Sequence, residues 1–244
     1  MSKLKSESGT RKSSLSTTTL PFETEALRAG LHTFLEEIFK SSGTEPPLKV
    51  GVVKWGVYAF YDYDGEPIYV GQTNERLSTR IRQHLTNRRT DAVAMSVLDP
   101  FEVCEIEVWP LVQYQSVANK GNEAVAAKKH LDQLEFSVFQ RCLEKSVFKA
   151  ILNEKSPPVG KLIKLPPSVR KRIVGEHVSE LRDHPDLRIA RRAAVMARLA
   201  QIISERKVAK GLRRALFTQA ERLRWLTEKR LELSNDTAED DSDE

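Results

Sequence analysis

Cysteine is scarce. The 244 residues hold two, Cys104 and Cys142, and neither sits at metal-ligand spacing. A disulfide scaffold and a four-ligand zinc finger are therefore not expected, and a reducing compartment is the default. No apolar run approaches the ~20 residues of a membrane span. The N-terminus also lacks the apolar stretch of a secretory signal. The expectation is a soluble, intracellular, cytoplasmic protein with no membrane partner. No helicase, methyltransferase or zinc module is visible, and no recognition-helix signature, so sequence-specific readout is not derivable. The formal net charge of +5 permits a nucleic-acid partner without establishing one.

What is present centres on Trp55 to Gly71, WGVYAFYDYDGEPIYVG. Two runs rich in β-branched and aromatic residues, Val57 to Tyr61 and Ile68 to Val70, flank Asp64-Gly65, a favoured type I′ hairpin pair. A two-residue turn sets Phe60 opposite Tyr69. Side chains alternate along a strand, so Tyr58 shares that face and becomes a diagonal cross-strand neighbour of Tyr69. A four-residue loop keeps this parity, and a three-residue loop would put the tyrosines on opposite faces. Gly56 and Gly71 bracket the pair, as glycines do where backbones approach closely. Taken alone, this is a hairpin with aromatic packing.

Downstream, Leu77, Ile81 and Leu85 recur every four residues, the stripe of a helix lying on a sheet. Arg76, Arg80, His84 and Arg88 form a second stripe beside it. A guanidinium and an imidazole thus project one turn apart, close to the tyrosine strand. The arrangement resembles the GIY-YIG nuclease family: Gly56-Val57-Tyr58 stands for GIY, Tyr69-Val70-Gly71 for YIG, and Arg80 and His84 match the family's Arg and His on the next helix.

The stretch FEVCEIEVWPLV alternates Val103, Glu105 and Glu107 against Cys104, Ile106 and Val108, which predicts a third, half-exposed strand ending near Pro110. Residues 122–144 predict a helix with Leu131, Val138, Cys142 and Phe139 on one face. Glu135 lies within that stripe. A carboxylate taken out of water must be paired, protonated or metal-bound. An ion pair with Arg80 or Arg82 would satisfy it; the resemblance implies instead the family's single metal-binding carboxylate. Asn153 falls where the family has an Asn near the domain's end. The resemblance covers roughly residues 55–153. The insert after the first helix and the QYQSVANKGNE segment depart from the family core, and such loops often set substrate choice.

Elsewhere, residues 1–20 are polar and expected to be disordered. Leu27, Leu31, Phe34 and Ile38 predict an N-terminal helix, followed by a linker, across 21–48. Residues 49–156 form the expected nuclease-like domain. PPVGKLIKLPP reads as a linker with Pro166-Pro167 before a helix start. Val169, Ile173, Val178 and Leu181 predict one helix, breaking near His184-Pro185. Leu187 to Lys207 predicts a second, striped by Ile189, Ala193, Met196, Leu199 and Ile203. Leu212 to Leu233 predicts a third, carrying Leu216, Leu223, Trp225 and Leu226. Residues 166–233 hold 17 Lys+Arg against 8 Asp+Glu. This basic unit is a DNA clamp or a solvated helical face. Residues 234–244 are an acidic tail, expected to be disordered. The expected class is α+β: a small antiparallel three-stranded sheet flanked by helices, then an all-α region.

The resemblance implies phosphodiester hydrolysis by a metal-dependent DNA endonuclease, with RNA left open. Catalytic candidates are Tyr58, Tyr69, Arg80, His84, Glu135 and Asn153. Glu135 would hold one Mg²⁺, with Mn²⁺ as substitute; one carboxylate implies one ion. Arg80 would contact the scissile phosphate. Tyr58 would act as base, with His84 relaying its proton and Tyr69 positioning water or phosphate; the two phenols' roles could be exchanged. A phenol titrating near ~10 needs a downward shift worth about 4 kcal/mol to work at neutral pH. Asn153 would position substrate or brace the site. Two other readings compete: a catalytically silent GIY-YIG module that binds nucleic acid, and a helical adaptor. Oligomeric state is open, a dimer being one way to cut both strands.

Overall fold

The computed structural model describes residues 22–40, 47–86 and 97–240, with side chains placed as far as residue 233. The expectations for residues 1–20, Arg88, most of the insert and residues 241–244 lie outside the described residues; residues 234–240, expected to be disordered, continue the last helix.

α1 (Phe22–Glu36) buries Leu27, Leu31 and Phe34. The fourth member of the expected stripe, Ile38, lies beyond the helix in β1 (Ile38–Phe39), which pairs with β2 (Leu48–Lys49). There follow β3 (Gly56–Tyr61), β4 (Pro67–Thr73), α2 (Leu77–Leu85), β5 (Glu105–Pro110), α3 (Asn122–Lys145), β6 (Val169–Arg172), α4 (Glu176–Asp183), α5 (Pro185–Glu205) and α6 (Lys210–Asp240). The fold is mixed α+β. Its main sheet is antiparallel in the order β4-β3-β5-β6, so it has four strands rather than three.

The hairpin reaches the expected parity by another route. The Asp62 N–H donates to the Glu66 carbonyl at 3.0 Å and the Gly65 N–H to the Asp62 carbonyl at 3.1 Å. Tyr63, Asp64 and Gly65 therefore form a three-residue loop, with Gly65 at φ +73°. A type I′ turn needs positive φ at both central residues, and Asp64 does not have it. Alone, such a loop would split the tyrosines between the two faces. A bulge restores them: Tyr61 opposes Pro67 while Phe60 opposes Tyr69, so Ile68 is absorbed.

The sheet separates two cores. Tyr58, Phe60, Ile106 and Val108 face α1, α2 and the C-terminal helices, together with Leu77, Ile81, Leu199 and Leu212. Val57, Ala59, Val70 and Trp109 face α3, through Leu131, Leu134 and Val138. The segment before β6 is no free linker. Ile163 and Leu165 pack on the second core, and the Ile163 N–H donates to the Ser137 hydroxyl at 2.9 Å.

Two corrections share one cause. β5 is not half-exposed: Glu107 is 3 % exposed, accepting bonds from Tyr61 and Ser168, both at 2.7 Å. What covers it includes β6, formed by Val169–Arg172, which the apolar spacing had assigned to a helix. The carboxylates of β5 recruit that basic strand. Arg170 donates to Glu105 at 2.6 Å and stacks its guanidinium 3.7 Å from the Tyr61 ring centroid. Pro166-Pro167 thus precedes a strand, and Leu181, at 55 % exposed, belongs to no core stripe.

The break at His184-Pro185 is as expected, but α5 is rotated from its predicted face. Arg188, Arg192 and Leu199 are its buried residues, while Ala193 is exposed. Arg188 meets Asp64 at 2.5 Å, Arg192 meets Glu102 at 3.0 Å and Asp62 at 3.1 Å, and Arg222 of α6 meets Asp62 at 2.5 Å. Several arginines of the basic region are therefore internal, spent on the acidic turn of the hairpin. For them, clamp and solvated face are both incorrect.

Candidate active site

β4 is the outer strand of the sheet, and a strand edge has unpaired backbone groups. Asn153 covers part of that edge. Its side-chain carbonyl accepts from the Val70 N–H at 3.0 Å, and its amide donates to the Val70 carbonyl at 2.7 Å. The Leu152 N–H donates to the Ile68 carbonyl at 3.0 Å. The candidate groups gather just beyond Asn153, around Gly71.

Gly71 makes that gathering feasible. A Cβ there would lie 2.5 Å from the Tyr58 hydroxyl and 3.0 Å from the Tyr69 ring. Without it, Tyr58 lies across the neighbouring strand, and the two rings stack with centroids 6.2 Å apart. His84 projects from α2 onto both, 4.9 Å from the Tyr69 ring and 5.8 Å from Tyr58. Arg80, one turn earlier on α2, donates to Gln83 at 3.3 Å and is the favourable cationic neighbour of the Tyr58 hydroxyl.

Glu135 approaches from the α3 side of the strand. The Gln72 amide donates to it at 2.7 Å and to Asp132 at 2.8 Å, while Lys128 donates to the Gln72 carbonyl at 3.2 Å. Burial pushes Glu135 up to about 7, against the Gln72 hydrogen bond and the Lys128 charge. Its charge also adds, as the last of several causes, to the upward shift of the Tyr58 hydroxyl, although the two side chains come from opposite faces of the sheet.

The two phenols differ. Tyr69 is half-buried, whereas Tyr58 is fully buried. Burial raises the Tyr58 hydroxyl well above its ordinary value, Tyr69 adds to this, and Arg80 opposes it. That is opposite to the shift a base at neutral pH needs.

The described residues contain no group of three or more His, Cys, Asp or Glu side chains placed to hold a metal. The oxygens there nonetheless fit one hard cation. They are the carboxylates of Glu135 and Asp132, joined by the Gln72 amide, few enough that water would supply the remaining ligands, as Mg²⁺ prefers. A half-buried carboxylate held near neutral pH is also one that a cation would stabilise.

Residue-by-residue reading singled out neither Gln72, Asp132 nor Lys128. Their signal was available. Gln72 directly follows Gly71, on the face opposite the tyrosines. Asp132 and Lys128 lie three and seven positions before Glu135, on its helical face.

Residues 54–120 match the family profile of the GIY-YIG catalytic domain. The match takes in both tyrosines, Gly71, Arg80 and His84, and ends before Glu135 and Asn153. Domains of this type are typical of endonucleases acting on nucleic acid, and such nucleases generally use divalent ions. No curated protein and no solved structure matches the chain significantly. No helix among the described residues is long and apolar enough to cross a membrane.

Proposed function

We propose that the chain is a Mg²⁺-dependent endonuclease hydrolysing DNA phosphodiester bonds at the free edge of β4. The observation carrying this reading is the gathering of Tyr58, Tyr69, Arg80 and His84 around a glycine that admits no side chain, with Glu135 bonded to the adjacent Gln72. A chain that only bound nucleic acid would have no use for a half-buried carboxylate held near neutral pH beside that cluster.

Arg80 binds the scissile phosphate and meets the charge that grows on its oxygens. Tyr69, half-buried and 4.9 Å from the His84 ring, takes the proton of the attacking water, and His84 carries it onward. Tyr58, buried and held protonated, braces Tyr69 through the stacked rings. Asn153 acts on none of these atoms; it fixes the Val70 backbone between Tyr69 and Gly71 and so sets the angle of the strand. Glu135 would hold the ion, with Gln72 orienting its carboxylate. The divalent ion, when bound, would supply charge stabilisation for the leaving oxygen.

Conversion of supercoiled plasmid, with and without Mg²⁺, on wild type and Glu135→Ala tests the reading. Cleavage requiring both the ion and Glu135 is expected. Cleavage indifferent to the substitution would sink the metal assignment, and none under any condition would leave a silent nucleic-acid-binding module.

A further inference from the structure

A cavity of about 810 Å³ opens on the α3 side of the sheet. That volume lies within the range of ligand pockets. It is continuous with the candidate active site, because Lys128 and Asp132 line it and also bond the Gln72 that holds Glu135. Its walls are of two kinds. Ala124, Val125, Pro158 and Val159 give it an apolar floor and lip, and Val125 and Val159 remain 71 % and 92 % exposed. The rim carries the amides of Asn74, Asn119 and Gln133 and the ammonium groups of Lys120, Lys128 and Lys129.

Each property narrows the occupant. Three lysines face one carboxylate, Asp132, which Lys128 already pairs. The rim is thus left cationic, and its ligand is an anion. Side-chain amides suit the donor and acceptor edges of a nucleobase. An apolar floor suits the flat face of a base and offers nothing to a phosphate. Trp55 closes the inner wall, 1 % exposed, and its indole N–H has no acceptor among the described residues.

We propose that this cavity receives an unpaired nucleobase from the strand flanking the scissile phosphate, while Lys120 and Lys129 hold the adjoining phosphates. The inference rests on the nuclease reading of the neighbouring site. It narrows the substrate to DNA carrying an extruded, bulged or single-stranded nucleotide. Extruding a base from a regular duplex costs stacking and pairing, so a substrate in which that cost is already met binds tighter.

Fluorescence anisotropy of the full chain in EDTA, where nothing is cut, tests this with three probes. One is a labelled, fully paired duplex; the second adds one unpaired thymidine; the third has an abasic position in place of that base. Binding of the second about tenfold tighter than of the other two is expected. Val125→Glu, which places a carboxylate at the exposed lip, should abolish the preference while leaving paired-duplex binding within a few-fold, and Val125→Ile should retain it. Equal affinity for all three probes, binding to none, or a Val125→Glu effect equal on all three would overturn the inference. Cleavage of the three probes in Mg²⁺ by the same preparations separates the two ideas. Cleavage without the preference sinks only the cavity assignment, and the preference with no probe cut sinks only the nuclease reading.

Discussion

The molecule holds two meeting places of arginine and carboxylate, built from the same residue types to opposite ends. At the hairpin turn, Arg188, Arg192 and Arg222 close on Asp62, Asp64 and Glu102, and all three arginines are buried. At the β4 edge, Arg80 and Glu135 are only half-buried, and the hydrogen-bond partner of the carboxylate is an uncharged amide. In the first place each charge is in direct contact with an opposite one, although burial still raises Glu102 and lowers Arg222. In the second the carboxylate is left short of compensation, and Glu135 rises to about 7. Residue type therefore does not separate a structural ion network from a reactive site. Direct contact with an opposite charge does.

The sharpest way to break the comparison is to unbalance the compensated side. Asp62→Ala removes the shared partner of Arg192 and Arg222 and leaves buried guanidiniums unanswered. A loss of about 3–5 kcal/mol is expected, read from urea unfolding. A loss below about 1 kcal/mol would mean that the arginines find water or other partners. Deleting 166–233 would act the same way and more severely, since Leu199, Leu212 and β6 go with it. Such a truncation reports on folding, not on DNA affinity.

On the reactive side, Gly71→Ala drives a methyl group into the Tyr58 hydroxyl. Tyr58 is fully buried and has nowhere to retreat. The expected cost is about 2 kcal/mol of stability, with cleavage reduced beyond what unfolding explains. Asn153→Ala is smaller. Two hydrogen bonds to Val70 are lost at a partly exposed edge, worth about 1–2 kcal/mol. If Asn153 only braces, cleavage should fall with the stability of β4, and the dependence on substrate concentration should not change.

How much of this could be read from the residues depended on whether local pattern or distant partners decided the outcome. The hairpin, α2 and α3 were legible because their apolar spacing is also their buried face: Leu77, Ile81, Leu85, Leu131 and Val138 are all buried. The common face of Tyr58 and Tyr69 was legible too, although a three-residue loop and a compensating bulge replaced the expected turn. β6 was not legible. Val-Arg-Lys-Arg has no strand pattern and takes its conformation from the acidic strand beside it. The face of α5 was missed because a rule that counts apolar residues cannot see a buried guanidinium whose partners lie about 90 to 130 positions away. At the site, Tyr58, Arg80 and His84 fit a motif, whereas Gln72 stands beside that motif and takes its role from partners 60 and 63 positions away.

The smallest expected effect tests the uncompensated side most directly. The Glu135 value lies above the ordinary 4.5, so its contribution to stability is fully present below pH 4.5 and is lost as pH rises through about 7. Glu135→Gln keeps the shape and cannot ionise. At pH 8 the variant should be more stable than wild type by on the order of 1 kcal/mol, a figure reduced for partial exposure, and the gap should close toward pH 4.5. Adding Mg²⁺ at pH 8 should raise the wild-type unfolding midpoint and not that of the variant. As pH falls below 7, protons compete for the same oxygens, and the Mg²⁺ concentration needed for that rise should grow about tenfold per pH unit. A variant no more stable than wild type at pH 8 would mean that Glu135 is already paired within the chain. The two meeting places would then differ only in depth.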